Sequence, residues 1–404
     1  MSVVRIHTPT REIANGWLRL TYPIEGLDHA ALVFEIDEAF ADFVDDSCDA
    51  AVVALLVPAM AAGKEIEVTG TMSPRLHFDL HNTSIPVIER LLPFIGPTRV
   101  RARAWTEEHA PRGDAVLTGL SCGVDSFAAI RDLRDERLPV HDRVTHFVFN
   151  HIGSHGYGGD LEGRVARRWQ WVKETADAYG VPVIRVAGNL PDFYPPEHDS
   201  PLNFMATLTV RNASVALLLQ ARARRLLMAS SNTWTYVRVA PSESMTDVDT
   251  VLLPALGTER VHLQSIGNSQ SRVEKTRRIS ADPVVQTHLD VCIMEGGANC
   301  SRCSKCLRTI LTLELLGRLE EFASVFDLEE YERHRGRYVA ETLASTEREF
   351  QPEIRDLMSE VGYRPTLGER MGGHGVRAWQ ALPVWIKKPL RRGVRSTVAR
   401  VLER

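Results

Sequence analysis

Two stretches of this chain put reactive side chains at spacings that imply chemistry. The first is Ser121-Cys122-Gly123-Val124-Asp125-Ser126, set between an apolar run at 115–120 and a second that opens at Phe127. The first run reads as a buried strand, the hexapeptide as a tight loop and the sequel as a helix. Such a loop suits an anion: its backbone N–H groups converge in the bend, and the helix N-terminus adds partial positive charge. Gly123 lets a ligand approach the chain closely, and the Ser121 and Ser126 hydroxyls can donate hydrogen bonds. Asp125 would sit badly beside a bare polyphosphate and calls for Mg²⁺ between them. A Walker A loop is excluded, because no Gly-Lys-Ser/Thr follows. An ordinary strand-to-helix turn capped by Asp or Ser would use similar residues. The second stretch holds Cys292, Cys300, Cys303 and Cys306 within fifteen residues. Four thiolates complete a tetrahedral Zn²⁺ shell with no open position, so the ion is expected to be structural. Gly296, Gly297 and Asn299 supply turn freedom, and Arg302, Lys305 and Arg308 offset the negative charge. An iron–sulfur cluster is the competing reading, and two disulfides are a third.

These groups need a scaffold, and the hydrophobic pattern supplies one. From residue 115 onward, strand-like runs at 143–150, 181–186, 225–229 and 261–266 alternate with helical runs at 161–179 and 208–223. That alternation predicts an α/β fold, a parallel sheet with helices on both faces, whose ligands bind beyond the carboxyl ends of the strands. Each strand end can therefore be read. Asn150-His151 leads into a glycine-rich loop that carries His155, either a solvated connection or a ligand contact. Asn189 runs into a proline-rich cover at 191–201, and Ser230-Ser231-Asn232-Thr233 suits a ribose or substrate contact. Arg211-Asn212 is expected in the first turn of a helix starting near Thr209, where the arginine would hold a carboxylate or phosphate or simply face solvent. Lys275 falls near the start of a helix, so either it snorkels outward or an anion compensates it.

Around this core, residues 1–105 read as a small α+β domain, with strands at 17–24, 31–36, 65–71 and 99–105 and a helix at 50–61. Scaffold, lid or oligomer contact is its expected role. Residues 317–404 read as a helical extension with a basic tail, Trp379, Trp385, Lys387, Lys388, Arg391 and Arg392 among its residues, suited to docking a protein partner or to solvent. The chain has 404 residues, 44% hydrophobic and 25% charged, with net charge −4. That balance does not call for nucleic acid as an obligatory partner. No uncharged apolar run approaches a membrane span and no signal peptide is legible, so a cytoplasmic protein is expected.

SCGVDS resembles the SGGxDS signature of the PP-loop ATP pyrophosphatases, with Cys122 in place of a glycine. The order of that loop, Arg211-Asn212, Lys275 and then CxₙCxxCxxC is similar to the 7-cyano-7-deazaguanine synthase family over residues 115–310. The resemblance implies an adenine nucleotide α-hydrolase-like domain at 115–310 that includes the zinc site. It implies a ligase that cleaves ATP to pyrophosphate, adenylates a small carboxylate such as a deazaguanine acid, and forms an amide or nitrile with ammonia or an amine. Ser121, Cys122, Gly123, Val124, Ser126, Asn150, Asn212 and Asn232 would then line the ATP and substrate site. Asp125, Lys275 and Arg211 would be catalytic, with Mg²⁺ on Asp125. The residues following strand four, and the chain outside 115–310, depart from that family, so the acceptor stays open. A PP-loop sulfur transferase and a nucleotide-sensing, partner-binding protein are the alternatives, and the terminal extensions offer surfaces for a partner or a homodimer.

Overall fold

A computed structural model of the protein describes residues 3–107, 113–156, 158–195, 200–292, 299–346 and 350–373. The chain divides into two compact units, Met1–Ser271 with Ala281–Asp290, and Arg272–Ser280 with Val291–Arg404.

The first unit is α/β and is built on one mixed, mostly parallel sheet. Its strands are β1 (Val3–Ile6), β2 (Thr10–Ala14), β3 (Trp17–Glu25), β4 (Ala31–Asp37), β5 (Glu65–Met72), β6 (Val100–Trp105), β7 (Ala115–Gly119), β8 (His146–Asn150), β9 (Val183–Gly188), β10 (Ala223–Ala229) and β11 (His262–Ile266). They run in the order β11-β10-β7-β8-β9-β4-β3-β1-β5-β6, with β2 paired to β3 outside that path. The block from β11 to β9 is entirely parallel. Its central strands are near-continuous apolar runs: four of the five residues of β7 are buried, and the middle three of β8. That is the pattern of strands covered on both faces. β3 instead alternates buried with accessible positions, as an antiparallel strand with one wet face does.

The helices of this unit are α1 (Asp49–Ala61), α2 (Pro74–Asp79), α3 (Ile85–Leu91), α4 (Val124–Leu133), α5 (Leu161–Tyr179), α6 (Phe204–Leu218), α7 (Asp249–Leu252) and α9 (Pro283–His288). β7, β8 and β9 step in one direction along the sheet, whereas the chain then returns past β7 to form β10 and β11. Because parallel crossovers are right-handed, that reversal puts α6 on the face opposite α4 and α5. It also creates a switch point between β7 and β10, where the carboxyl ends of neighbouring strands feed loops in opposite directions. α1 packs along α6. It is buried from Asp49 to Met60, and so shows no polar stripe.

The second unit is helical: α8 (Arg272–Ile279), α10 (Ser304–Leu315), α11 (Leu328–Ala344) and α12 (Phe350–Glu360). Ile310, Leu313, Phe322, Tyr331, Val339, Ile354 and Leu357 form its interior. The Glu353 carboxylate accepts from the Arg272 and Val273 N–H groups, at 2.8 and 3.4 Å, and so compensates the amino end of α8 from within the unit.

The two compact units follow other bounds than the expected 105, 115–310 and 317. β4 pairs antiparallel with β9, Ile36 opposite Val186, which welds the N-terminal strands into the parallel sheet. The cysteines belong to the helical unit and not to the unit that carries the loop. The basic tail, Gly296 and Gly297 lie outside the described residues. Among those described, no helix is long and apolar enough to cross a membrane.

Candidate functional site

β7 ends at Gly119 and α4 begins at Val124, so Leu120–Gly123 must turn the chain in four residues. Ser126 staples this turn. Its hydroxyl accepts from the Ser121 N–H at 3.2 Å and donates to the Gly119 carbonyl at 3.2 Å. Gly123 takes the N-cap position and, being glycine, offers no side-chain cap, while its own N–H donates to Ser121 Oγ at 3.4 Å. A Cβ added to Gly123 would meet nothing closer than Ser121 Oγ at 3.5 Å, and its φ of −88° is open to any residue. Neither packing nor backbone conformation demands glycine there; close approach of a ligand would. Ser121 is exposed and Asp125 half-buried at this rim.

Cys122 behaves differently. Its φ of +58° is left-handed, and its side chain is wholly buried. The sulfur lies 3.4 Å from Thr175 Oγ1 on α5, and its carbonyl accepts the Asp290 N–H at 2.8 Å. Asp290 is held in turn by Arg168 of α5 at 3.1 Å. Burial pushes the Cys122 thiol up to about 12, so it is a packed thiol and not a nucleophile. This buttress of Thr175, Arg168 and Asp290 could not be anticipated from the sequence, because its members lie 46 to 168 residues from Cys122 in the chain.

Asn150 and Asn212, expected together, are together. Asn150 at the end of β8 donates through Nδ2 to Asn212 Oδ1 at 2.9 Å, and Asn212 Nδ2 donates to the Leu208 carbonyl. That second bond fixes the orientation of both amides, which leaves Asn150 Oδ1 buried without a hydrogen-bond partner. Arg211 corrects the expectation of a first-turn arginine. α6 starts at Phe204, so Arg211 lies in mid-helix, and it has no exposed surface. Its guanidinium stacks 3.7 Å from the centroid of Tyr194, its Nε donates to Thr207 Oγ1, and Nη1 donates to the Ile152 carbonyl. It braces the start of the glycine-rich loop from below. In that loop His155 is packed against Phe149 and His151. Burial, with help from His151 and the Arg168 and Arg164 charges, depresses its basicity to about 3, so it contributes no cation at neutral pH.

Asn232 at the end of β10 is also committed internally. Its Nδ2 donates to Thr246 Oγ1 and Asp247 Oδ1, at 3.1 and 3.0 Å, tying down the segment that leaves the sheet. Neighbouring Ser230 joins Asn268 at 2.7 Å, so the ends of β10 and β11 share one polar network on the far side of the switch point. Lys275 is buried on α8 in the second unit.

The cysteines form a separate centre. Sγ atoms of Cys292, Cys300, Cys303 and Cys306 all lie within 4.8 Å of one another. A tetrahedron with bonds of about 2.3 Å has edges of about 3.8 Å, and Cys292 and Cys303 are 4.0 Å apart. Backbone N–H groups of Cys303 and Cys306 point at the sulfurs of Cys300 and Cys303, at 3.3 and 3.5 Å. Ser301 makes this knuckle with φ +55°. Asn299 anchors it, accepting from Val291 N and donating to the Val325 carbonyl. The Cys303 contact and the other crowded sulfurs push the Cys306 thiol far up, a penalty that a shared cation would reverse. The cluster can hold a metal ion such as zinc. Arg308, expected to offset its charge, stacks on Phe350 at 3.8 Å, and Arg302 pairs with Glu330.

Comparison of the chain with family models, curated proteins and solved structures found no match.

Proposed function

We propose that the protein is an ATP-dependent ligase of the PP-loop type. It would adenylate a small carboxylate, release pyrophosphate and pass the acyl group to ammonia or an amine. One observation carries this reading: a helix with glycine at its N-cap follows a serine-stapled turn at the carboxyl end of β7, beside the switch point with β10. Anions bind at such termini, and ligands of open α/β sheets bind at such crevices. On this reading the loop N–H groups hold phosphate oxygens, that of Gly123 exchanging its 3.4 Å contact with Ser121 Oγ for the ligand, and Asp125 carries Mg²⁺. Asn150 Oδ1 takes a ligand donor, and the domain is of the adenine nucleotide α-hydrolase-like kind. Arg211 and Asn232 would act as positioning residues, since neither is free to meet substrate. Zn²⁺ at the four cysteines would be structural, having no open position; sulfurs this close favour one shared ion over an iron–sulfur cluster, whose thiolates ligate different irons.

Sulfur transfer is the weaker reading. With four cysteines on the metal, only Cys48 and Cys122 remain; both are fully buried, and burial pushes both thiols up to about 12. Neither is poised to carry sulfur.

Mass spectrometry of nucleotide products decides the matter. The metal-replete protein is incubated with Mg·ATP, ammonia and a panel of carboxylates that includes 7-carboxy-7-deazaguanine. AMP and pyrophosphate that depend on one carboxylate, and that fall at least about 100-fold in Asp125→Ala, are expected for a residue stabilising charge in the transition state. ATP that binds but stays intact across the panel would replace the ligase with a nucleotide sensor.

A further inference from the structure

At the amino ends of β10 and β11, opposite the strand ends that carry the loop, lies a half-open concavity. It measures about 330 Å³ and is lined by Arg75, Arg224, Arg225, Glu259, Arg260 and His262, with Thr258 and Val261 between them. The strands impose this convergence. Arg225 pairs in register with His262, the first residue of β11, and Arg224 precedes it on β10. Arg260 and Glu259 come from the turn that leads into β11, and Arg75 from the first turn of α2.

Four guanidiniums against one carboxylate is an unusual lining for a site that binds nothing. The carboxylates that partner these arginines stand outside the lining and do not answer them one for one. Asp142 serves both Arg224 and Arg225, at 3.0 and 3.1 Å. Asp45 takes Arg260, and Asp79 lies 3.6 Å from Arg75. Glu259, the one acid of the lining, is already engaged: it accepts from Ser73 Oγ at 2.6 Å and from the Arg75 N–H at 2.8 Å. Arg260 Nε is buried without a hydrogen-bond partner, a cost that a folded chain does not usually leave standing. His262 is held toward its neutral form by burial and by the nearby Arg225 and Arg75 charges, so the guanidiniums are the cations of this lining.

We infer that this cavity is a binding site for a compact phosphate dianion, either free phosphate or the phosphate group of a small monoester. Guanidinium forks match the geometry of phosphate oxygens bidentately, and several converging on one small volume favour a tetrahedral anion over a planar carboxylate. Its small volume suits a small molecule better than a nucleic-acid strand, which needs an extended groove open at both ends. The site is independent of the nucleotide reading and would stand if that reading failed.

The experiment is isothermal titration calorimetry of the full chain with inorganic phosphate and, separately, with ribose 5-phosphate, at constant ionic strength. Saturable binding is expected, weakened about tenfold or more by Arg225→Gln and unchanged by Ser126→Ala, which alters only the loop at the other end of β7. Tighter binding of phosphate than of the ester identifies the free anion as the ligand, and the reverse identifies a metabolite. Where Arg225→Gln lowers the melting temperature, Arg75→Gln replaces it, since Arg75 has the more exposed side chain. No saturation below about 10 mM, equal binding by the arginine variants, or loss of binding in Ser126→Ala would each overturn the proposal.

Discussion

At Cys122 the backbone takes a left-handed conformation that costs an L-residue roughly 1–2 kcal/mol. Glycine would avoid that cost, and the cysteine is held against it by what lies beneath: the Asp290 N–H on its carbonyl and the Thr175 hydroxyl beside its sulfur. Strain held in place by its surroundings keeps a loop in one conformation. The side chain is thereby removed from chemistry. Iodoacetamide at pH 8 on the native protein should leave Cys122 and Cys48 unmodified over hours, because both thiols are buried and far above their usual range. Peptide mass spectrometry reads the outcome. Alkylation of Cys122 within minutes would mean that the loop opens, and would revive sulfur transfer.

At the scale of elements, two carboxyls sit where helices meet. Asp249, the first residue of α7, accepts from Thr209 of α6 at 2.5 Å, and burial pushes its carboxyl up to about 7. Asp49, the first residue of α1, is pushed up to about 6 for the same reason. A carboxyl whose pKa is raised on folding stabilises the fold while protonated. That contribution is complete below the unfolded value near 3.9 and is lost as pH rises through about 7, an amplitude of up to about 4 kcal/mol for Asp249. Urea unfolding should therefore give lower stability at pH 8 than at pH 5. Asp249→Asn, which keeps an acceptor for Thr209 and carries no charge, should flatten most of that difference. An unchanged pH profile in the variant would show that Asp249 does not titrate in this range.

The same elements show what local pattern can and cannot reveal. α5 spans 161–179 as its apolar spacing predicts, and β3, β4 and β5 fall within a residue of their expected ends, because period and caps are local properties. β1 and β2 are too short to announce themselves, and β2 is exposed along its whole length. That β4 would pair with β9, 150 residues on, depends on how two sheet edges meet, and no periodicity encodes it. At the site, the strand–loop–helix order was legible from residue type, but not that Ser126, expected to donate to a ligand, spends its hydroxyl inside the turn. The enclosure of Arg211 and the internal use of Asn232 were not legible either, since the same residues at the same strand ends could equally have faced a ligand.

For the whole molecule, the division into an α/β unit and a helical unit makes the metal a question of folding as much as of composition. The helical unit has a modest core, and the cysteine segment leading into α10 has polar anchors that include two N–H···S contacts, the bonds of Asn299 and the Asp327 N–H on Ser301 Oγ. Four thiolates within 4.8 Å repel one another unless a cation sits among them. Elemental analysis should find about one zinc per chain, and removing it should destabilise the second unit selectively. Hydrogen exchange followed by mass spectrometry checks this: on chelation, amides of Asn299–Cys306 and the first turns of α10 should lose protection, while those of β7, β8 and β10 keep theirs. Readdition of zinc should restore it. Equal loss of protection in both units would show that they unfold as one body, and no change would mean that the thiols hold this conformation without an ion. Where chelation changes nothing, a Cys303→Ser variant separates an inaccessible ion from no ion, because it removes a ligand while its hydroxyl can still accept the Cys306 N–H at the N-cap of α10. It should reproduce the effect of chelation in the second unit even where a chelator cannot reach the site.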